Sequence, residues 1–121
     1  MDGWVATANA TFTSDGDIVS VQAYNLYDAI YSLVSINSSI YRYIIIKYKV
    51  NFGSMELKFG WTDGTGFGFG DVTDSNWSIK VYDLWKIGKG IVMYIKIQGN
   101  VVPSSFDVDY IMFTEETEVN N

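Results

Sequence analysis

The sequence predicts an all-β fold, with two antiparallel sheets packed as a β-sandwich, and three observations carry that prediction. Apolar and polar side chains alternate with a period of two along most of the chain. Nearly every alternating stretch ends in a turn rich in Gly, Asn or Asp. No segment of useful length carries a helical period, which removes the strand–helix alternation of an α/β sheet. The 121 residues suffice for one core, and 48% apolar residues are enough to fill it. A lone proline and the absence of an internal Pro/Ser-rich linker leave residues 1–121 as a single domain, with 115–121 as a polar tail.

The elements follow in order. Residues 4–12 form a first extended stretch, ended by Ser14-Asp15-Gly16-Asp17. The next strand, over 18–24, places Val19, Val21 and Ala23 on one face. Residues 25–36 are ambiguous, with either a helical turn around Leu26, Ile30 and Leu33 or a strand through 29–36. Residues 41–51 give the clearest central strand, in which Ile44, Ile46, Tyr48 and Val50 oppose Tyr43, Ile45, Lys47 and Lys49. Met55, Leu57, Phe59 and Trp61 then share one side of a strand that enters the Asp63-Gly64-Thr65-Gly66 turn. The glycine-rich run over 64–70 lacks the Lys and helix of a phosphate loop and reads as a bulged hairpin. Strands over 77–81 and 91–98 follow, the latter with Ile91, Met93, Ile95 and Ile97 against Val92, Tyr94 and Lys96.

The last strand, over 106–114, admits two readings. Either Phe106, Val108, Tyr110 and Met112 face the core, or Ile111 and Phe113 do and Asp109 points inward with a partner.

Composition excludes several function classes. The chain has no cysteine and no histidine, so thiolate metal sites, disulfides and the commonest general base are absent. The net charge is −6, and the basic residues sit singly within strands, which argues against nucleic acid as a partner. Apolar runs such as Ile44-Ile45-Ile46 are too short to span a bilayer, so no membrane partner is expected. The start of the sequence shows no basic and apolar leader pattern, which fits a cytosolic protein or a module of a larger secreted one. Most aspartates lie in turns, where they cap their own backbone, and the glutamates are Glu56 and three tail residues. A carboxylate pair for glycoside cleavage is therefore not expected, no Gly-x-Ser-x-Gly elbow occurs, and the protein reads as a non-enzyme.

Aromatic residues are the positive signal, with four tryptophans and nine tyrosines available to present flat apolar faces. A pyranose ring stacks its C–H face on such a plane while its hydroxyls seek planar amides and carboxylates. Trp77 shares its face with Ile79 and Val81 and reads more as core than as platform. Trp61 stands at a strand end beside Asp63 and can point either way, whereas Trp85 lies in a polar connection that favours exposure. Tyr43 and Tyr94 stand opposite their strands' apolar rows and are expected on outer sheet faces. Asp63, Asn76 or Gln98 would supply hydrogen bonds to the ligand.

Three stretches resemble a jelly-roll carbohydrate-binding module of the galactose-binding-domain-like type. They are the polar turn and strand over 37–50, Trp77 with Val81-Tyr82-Asp83-Leu84 and the strand 91–97, and the closing Phe106-Asp107-Val108-Asp109-Tyr110-Ile111-Met112-Phe113. The resemblance covers about two-thirds of the chain and is one of order and texture. It implies non-catalytic binding of a polysaccharide, of the β-glucan or xylan class, by a monomeric module of a larger secreted, extracellular glycoside-active enzyme. It further implies the second reading of the last strand, with Phe106 and Tyr110 on the binding face and a structural calcium at Asp109, which would need further oxygens from turn carboxylates such as Asp15 or Asp17. The alternative is a structural subunit of a surface layer, filament or capsid that self-associates through its sheet edges.

Overall fold

A computed structural model gives the structure; it describes residues 5–6 and 10–15 as backbone, and 18–24, 29–61, 66–86 and 90–115 in full. The described strands are β1 (Val5–Ala6), β2 (Ala10–Asp15), β3 (Ile18–Ala23), β4 (Ala29–Asn37) and β5 (Tyr43–Phe52). They continue with β6 (Met55–Trp61), β7 (Gly66–Val72), β8 (Ser78–Asp83), β9 (Ile91–Gln98) and β10 (Ser104–Thr114). A short 3-10 turn, Leu84–Lys86, follows β8. The first sheet has the order β1-β4-β9-β6-β7 and the second β2-β3-β10-β5-β8. All neighbours are antiparallel. The chain changes sheet at every connection except the β2–β3 and β6–β7 hairpins, which is the alternation of a jelly roll. The ambiguous segment resolves as strand over Ala29–Asn37; residues 25–28 lie outside the described residues.

The core lies between the inner faces of the two sheets. Val19 and Val21 of β3, Ile44, Ile46 and Tyr48 of β5, and Leu57 and Phe59 of β6 are fully or almost fully buried, as their alternation predicts. Each such side chain contributes roughly 1.5–3 kcal/mol on leaving water. Two strands depart from strict alternation. In β10, Val108 pairs with Tyr48 and Tyr110 with Lys47, so Asp109 is an extra residue in a bulge. Phe106 and Val108 are buried before it, while Ile111 and Phe113 pack against the same core after it. Neither uniform reading of this strand holds, because the bulge lets both apolar pairs face inward and turns Asp109 and Tyr110 outward together. In β9 the shift falls at Met93-Tyr94, opposite Gly60 and Trp61 of β6. Val92, Ile95 and Ile97 are buried and Met93 is not, against the expected row.

Trp77 also differs from its expected place. It is 39% exposed, and Ile79 and Val81 are 53% and 41% exposed. The side chains of Lys47 and Lys49 lie over its ring, with their Nζ atoms 5.8 and 5.2 Å from the centroid. Register sets this: Ile79 and Val81 pair with Lys47 and Ile45 on the outer side of β5, while Tyr82 pairs with the core residue Ile44 and packs on the core.

Two polar ties close the β8 end of the sandwich. The buried Tyr48 hydroxyl donates to the Asp74 carboxylate in the β7–β8 connection, and both burial and this bond push the phenol's pKa up. Arg42 donates to both oxygens of Asp83, at 3.0 and 2.6 Å, and the Trp85 amide donates to Asp83 at 3.0 Å. The bond from Arg42 is the main cause that holds the Asp83 carboxyl below its ordinary value of 3.8. A carboxyl held low stabilises the fold fully above its unfolded pKa and loses that contribution as pH falls through the folded value.

Tyr48→Phe should therefore cost about 1–3 kcal/mol in urea unfolding, the worth of a hydrogen bond to a charged group. Arg42→Ala should lower the melting temperature at neutral pH, and its gap from wild type should narrow as pH is lowered below the ordinary carboxylate range. A gap independent of pH would show that the Arg42–Asp83 pair is not the cause.

Candidate ligand-binding face

The outer face of the first sheet is laid out by register. One row across it runs Leu33–Tyr94–Gly60–Gly66, the next Tyr31–Lys96–Lys58–Gly68, and the third reads Ala29–Gln98–Glu56–Asp71. The first row combines exposed apolar side chains with two glycines. Leu33 is 79% exposed and Tyr94 36%. A Cβ at Gly60 would stand 2.7 Å from Tyr94 Cδ1 and nearer still to Cε1, and one at Gly66 would stand 3.2 Å from the hydroxyl. The Tyr94 ring thus crosses its own sheet over these two residues, which only glycine permits at Gly60. It is set in position before any ligand arrives.

Beside the ring, a recess of about 160 Å³ is lined by Lys58, Phe59, Gly66, Phe67, Gly68 and Tyr94. Polar groups border it. Glu56 accepts from the Gly70 amide at 2.9 Å and from Asn100 at 2.8 Å, and Asn100 also donates to Asp71 at 2.5 Å. Gln98 is buried and its side-chain amide donates to Asn100 Oδ1 at 2.5 Å, while Lys58 lies 3.8 Å from Glu56. A chain of amides and carboxylates is thereby fixed along the third row. Gly60 and Glu56 are four residues apart on β6, so the ring and this chain are about 13 Å apart. The two carboxylates and two lysines of the face balance in charge, which suits an uncharged ligand with many hydroxyls.

A larger cleft, of about 340 Å³, opens between the edge strands β7 and β8 over Phe67, Phe69, Tyr82 and Asp83. Phe69 stacks on Tyr82 there, with centroids 4.1 Å apart. Asp83 is already engaged by Arg42 and the Trp85 amide, so the cleft lacks the array of polar groups found beside Tyr94.

The other sequence-predicted residues are dispersed. Trp61 packs edge-on against Phe59, with centroids 5.0 Å apart, and is partly buried against the core. Tyr43 and Tyr110 lie on the outer side of the second sheet, away from Tyr94. Trp85 is 39% exposed, donates its indole N–H to the Ser38 carbonyl at 2.5 Å, and has Arg42 4.7 Å over its ring. Asn76 is in the exposed β7–β8 connection, where its carbonyl accepts from Ser78. Asp63 and Asp17 lie outside the described residues. Asp109 faces a cation, the Lys47 ammonium at 3.4 Å. Among the described residues no group of three acidic side chains converges on Asp109, and the side chains of Asp15 and Asp17, the expected further oxygens, lie outside them. Sequence reasoning missed Gly60, Lys58, Glu56, Asp71 and Asn100; the unremarkable glycine in a core-facing strand was the only available sign of the first.

Solved structures share this architecture. The fold matches a mutant of the carbohydrate-binding module CBM29-2 complexed with cellulohexaose, at a TM-score of 0.72 and 11% identity, covering 91% of this chain and 79% of that one. Its fold is similar to that of family 29 carbohydrate-binding modules. A second mutant of that module, complexed with mannohexaose, matches at a TM-score of 0.67 and 12% identity over 91% of this chain and 79% of its own. The longer PfGH50B matches at 0.75 and 12% identity, covering 97% of this chain but 23% of that one. The jelly-roll resemblance of the sequence thus holds at the level of fold. No protein-family model and no curated protein matches the chain.

Gly60→Ala should leave the fold intact, because the atoms it meets belong to an exposed side chain that can lift. The Tyr94 ring should tilt out of the face, visible as a change in its aromatic NMR shifts; unchanged shifts would mean that the ring does not rest on Gly60.

Proposed function

We propose that the protein is a non-catalytic polysaccharide-binding module whose ligand lies across the outer face of the first sheet. The observation that carries this reading is the Tyr94 ring, held across Gly60 and Gly66 on the same sheet face as the Glu56–Asn100–Asp71 chain, about 13 Å away. One sugar ring stacks on Tyr94, and neighbouring units extend toward the third row, where fixed amide and carboxylate groups meet their hydroxyls. Because the acceptors are already held by Asn100 and the Gly70 amide, little side-chain freedom is lost on binding. The complexes of the CBM29-2 mutants with cellulohexaose and mannohexaose support a neutral polysaccharide as the partner class. We place the ligand in the β-glucan or xylan class, and the module outside the cell, holding an attached glycoside-active enzyme near its polymer. The match to part of PfGH50B supports such an attachment.

Affinity gel electrophoresis against soluble β-glucans, xylans, mannans and starch tests this. One polymer class should retard the protein. Tyr94→Ala and Gly60→Ala should each weaken retardation by roughly tenfold, the equivalent of about 1.4 kcal/mol. Unaltered migration with every polymer, or retardation that both variants preserve, would overturn the reading.

A further inference from the structure

The outer face of the second sheet is unused by the site above, yet it carries a row of exposed aromatic and apolar side chains. Trp77 and Trp85 stand at the two ends of β8, each 39% exposed, with Ile79 and Val81 between them. Each indole is held by cations: Lys47 and Lys49 at Trp77, and Arg42 at Trp85, whose guanidinium lies 4.7 Å from the ring centroid. Behind this row, Ile45 has no exposed surface although its alternation points it outward, and its register partners are Val81 and Met112. An apolar layer therefore continues from the edge strand onto the sheet.

Among the described residues this strip carries three ion pairs. Lys47 lies 3.4 Å from Asp109, Lys49 lies 3.7 Å from Asp107, and Arg42 binds Asp83. Within these pairs three cations balance three carboxylates, which leaves them no net charge to select an ionic partner, whether nucleic acid or an acidic polymer. The strip still offers paired donors and acceptors side by side, the complement of neighbouring hydroxyls. Tyr43 and Lys49, which mark its ends on β5, are six residues apart, or about 20 Å. A flat, neutral strip of that length, with an aromatic ring at each end, matches an extended polymer and not a compact ligand.

We infer that the outer face of the second sheet is a second binding site for a neutral, hydroxyl-rich polymer, so that one module holds two chains on opposite sides. The inference rests on the polysaccharide-binding reading of the first sheet. A module of this kind cross-links polymer strands, and two weak sites gain in avidity where the polymer is dense. Edge pairing with a second copy is the competing use of β8, and Lys80, exposed in the middle of that strand, opposes it.

Isothermal titration of the whole chain with cellulohexaose, xylohexaose and mannohexaose decides the matter. For the hexasaccharide that binds, two molecules should be taken up per chain. Tyr94→Ala and Trp77→Ala should each leave one, and the double variant none. Lys49→Ala serves as a milder lesion of the second face and should weaken only the site that survives in Tyr94→Ala. One molecule per chain, lost in Tyr94→Ala and untouched by Trp77→Ala, would overturn the second site while leaving the first. No uptake of any hexasaccharide would overturn both. A dimer in sizing that Ile79→Asp dissociates, with a single site by titration, would assign this face to self-association instead.

Discussion

The two inner faces must fill one space between them, and that packing is the constraint on which the rest of the structure depends. A strand with strict alternation meets it only if every second residue is apolar along its full length. β3 and β6 have such sequences and run regularly, as does β5 up to a shift at Asn51. β9 and β10 do not, and each absorbs one extra residue so that apolar side chains on both sides of the irregularity reach the core. The same step pushes two consecutive residues outward, Met93 and Tyr94 on one sheet and Asp109 and Tyr110 on the other. Core packing thus decides which aromatics the protein shows to solvent.

This constraint also explains what was legible in the sequence. Val19, Val21 and Ala23, or Ile44, Ile46, Tyr48 and Val50, announce both a strand and its buried side, because only one face of each is uniformly apolar. Phe106–Phe113 could not be read so, since apolar residues occur on both parities and a bulge leaves no mark in composition. Trp77, Ile79 and Val81 misled for a related reason. Their spacing shows correctly that they share a face, but alternation does not say whether the face looks inward, and the register of β8 with β5 decides that. The site was less legible than the fold. Tyr94 could be placed on an outer face from its strand alone, whereas Gly60 and Gly66 gain meaning only once the register of β9 with β6 and of β6 with β7 brings them under it.

The acidic residues of the described sheets are spent in a consistent way. Glu56 and Asp71 are bound by Asn100, Asp83 by Arg42, and Asp107 and Asp109 by lysines. A carboxylate fixed by a neighbour keeps some acceptor capacity while losing its freedom to turn. That arrangement suits recognition of hydroxyl groups, which need acceptors at set positions. It suits calcium poorly, because a metal needs several such oxygens aimed at one point and tolerates no ammonium among them.

Aromatic stacking on a weakly hydrated sugar face yields little free energy per contact, so what the protein avoids losing matters as much as what it gains. A tyrosine swinging freely above a sheet would have to be ordered by its ligand, at a cost of the same size as the stacking itself. Under the proposed function, glycine at position 60 would lower that cost in advance by giving the ring a seat. The cations over Trp77 and Trp85 achieve the same end by another means, holding each indole by its face. The two sheets therefore arrive independently at a rigid aromatic beside paired polar groups. The difference lies in curvature and length: a seated ring with a recess on one side, and a strip about 20 Å long on the other.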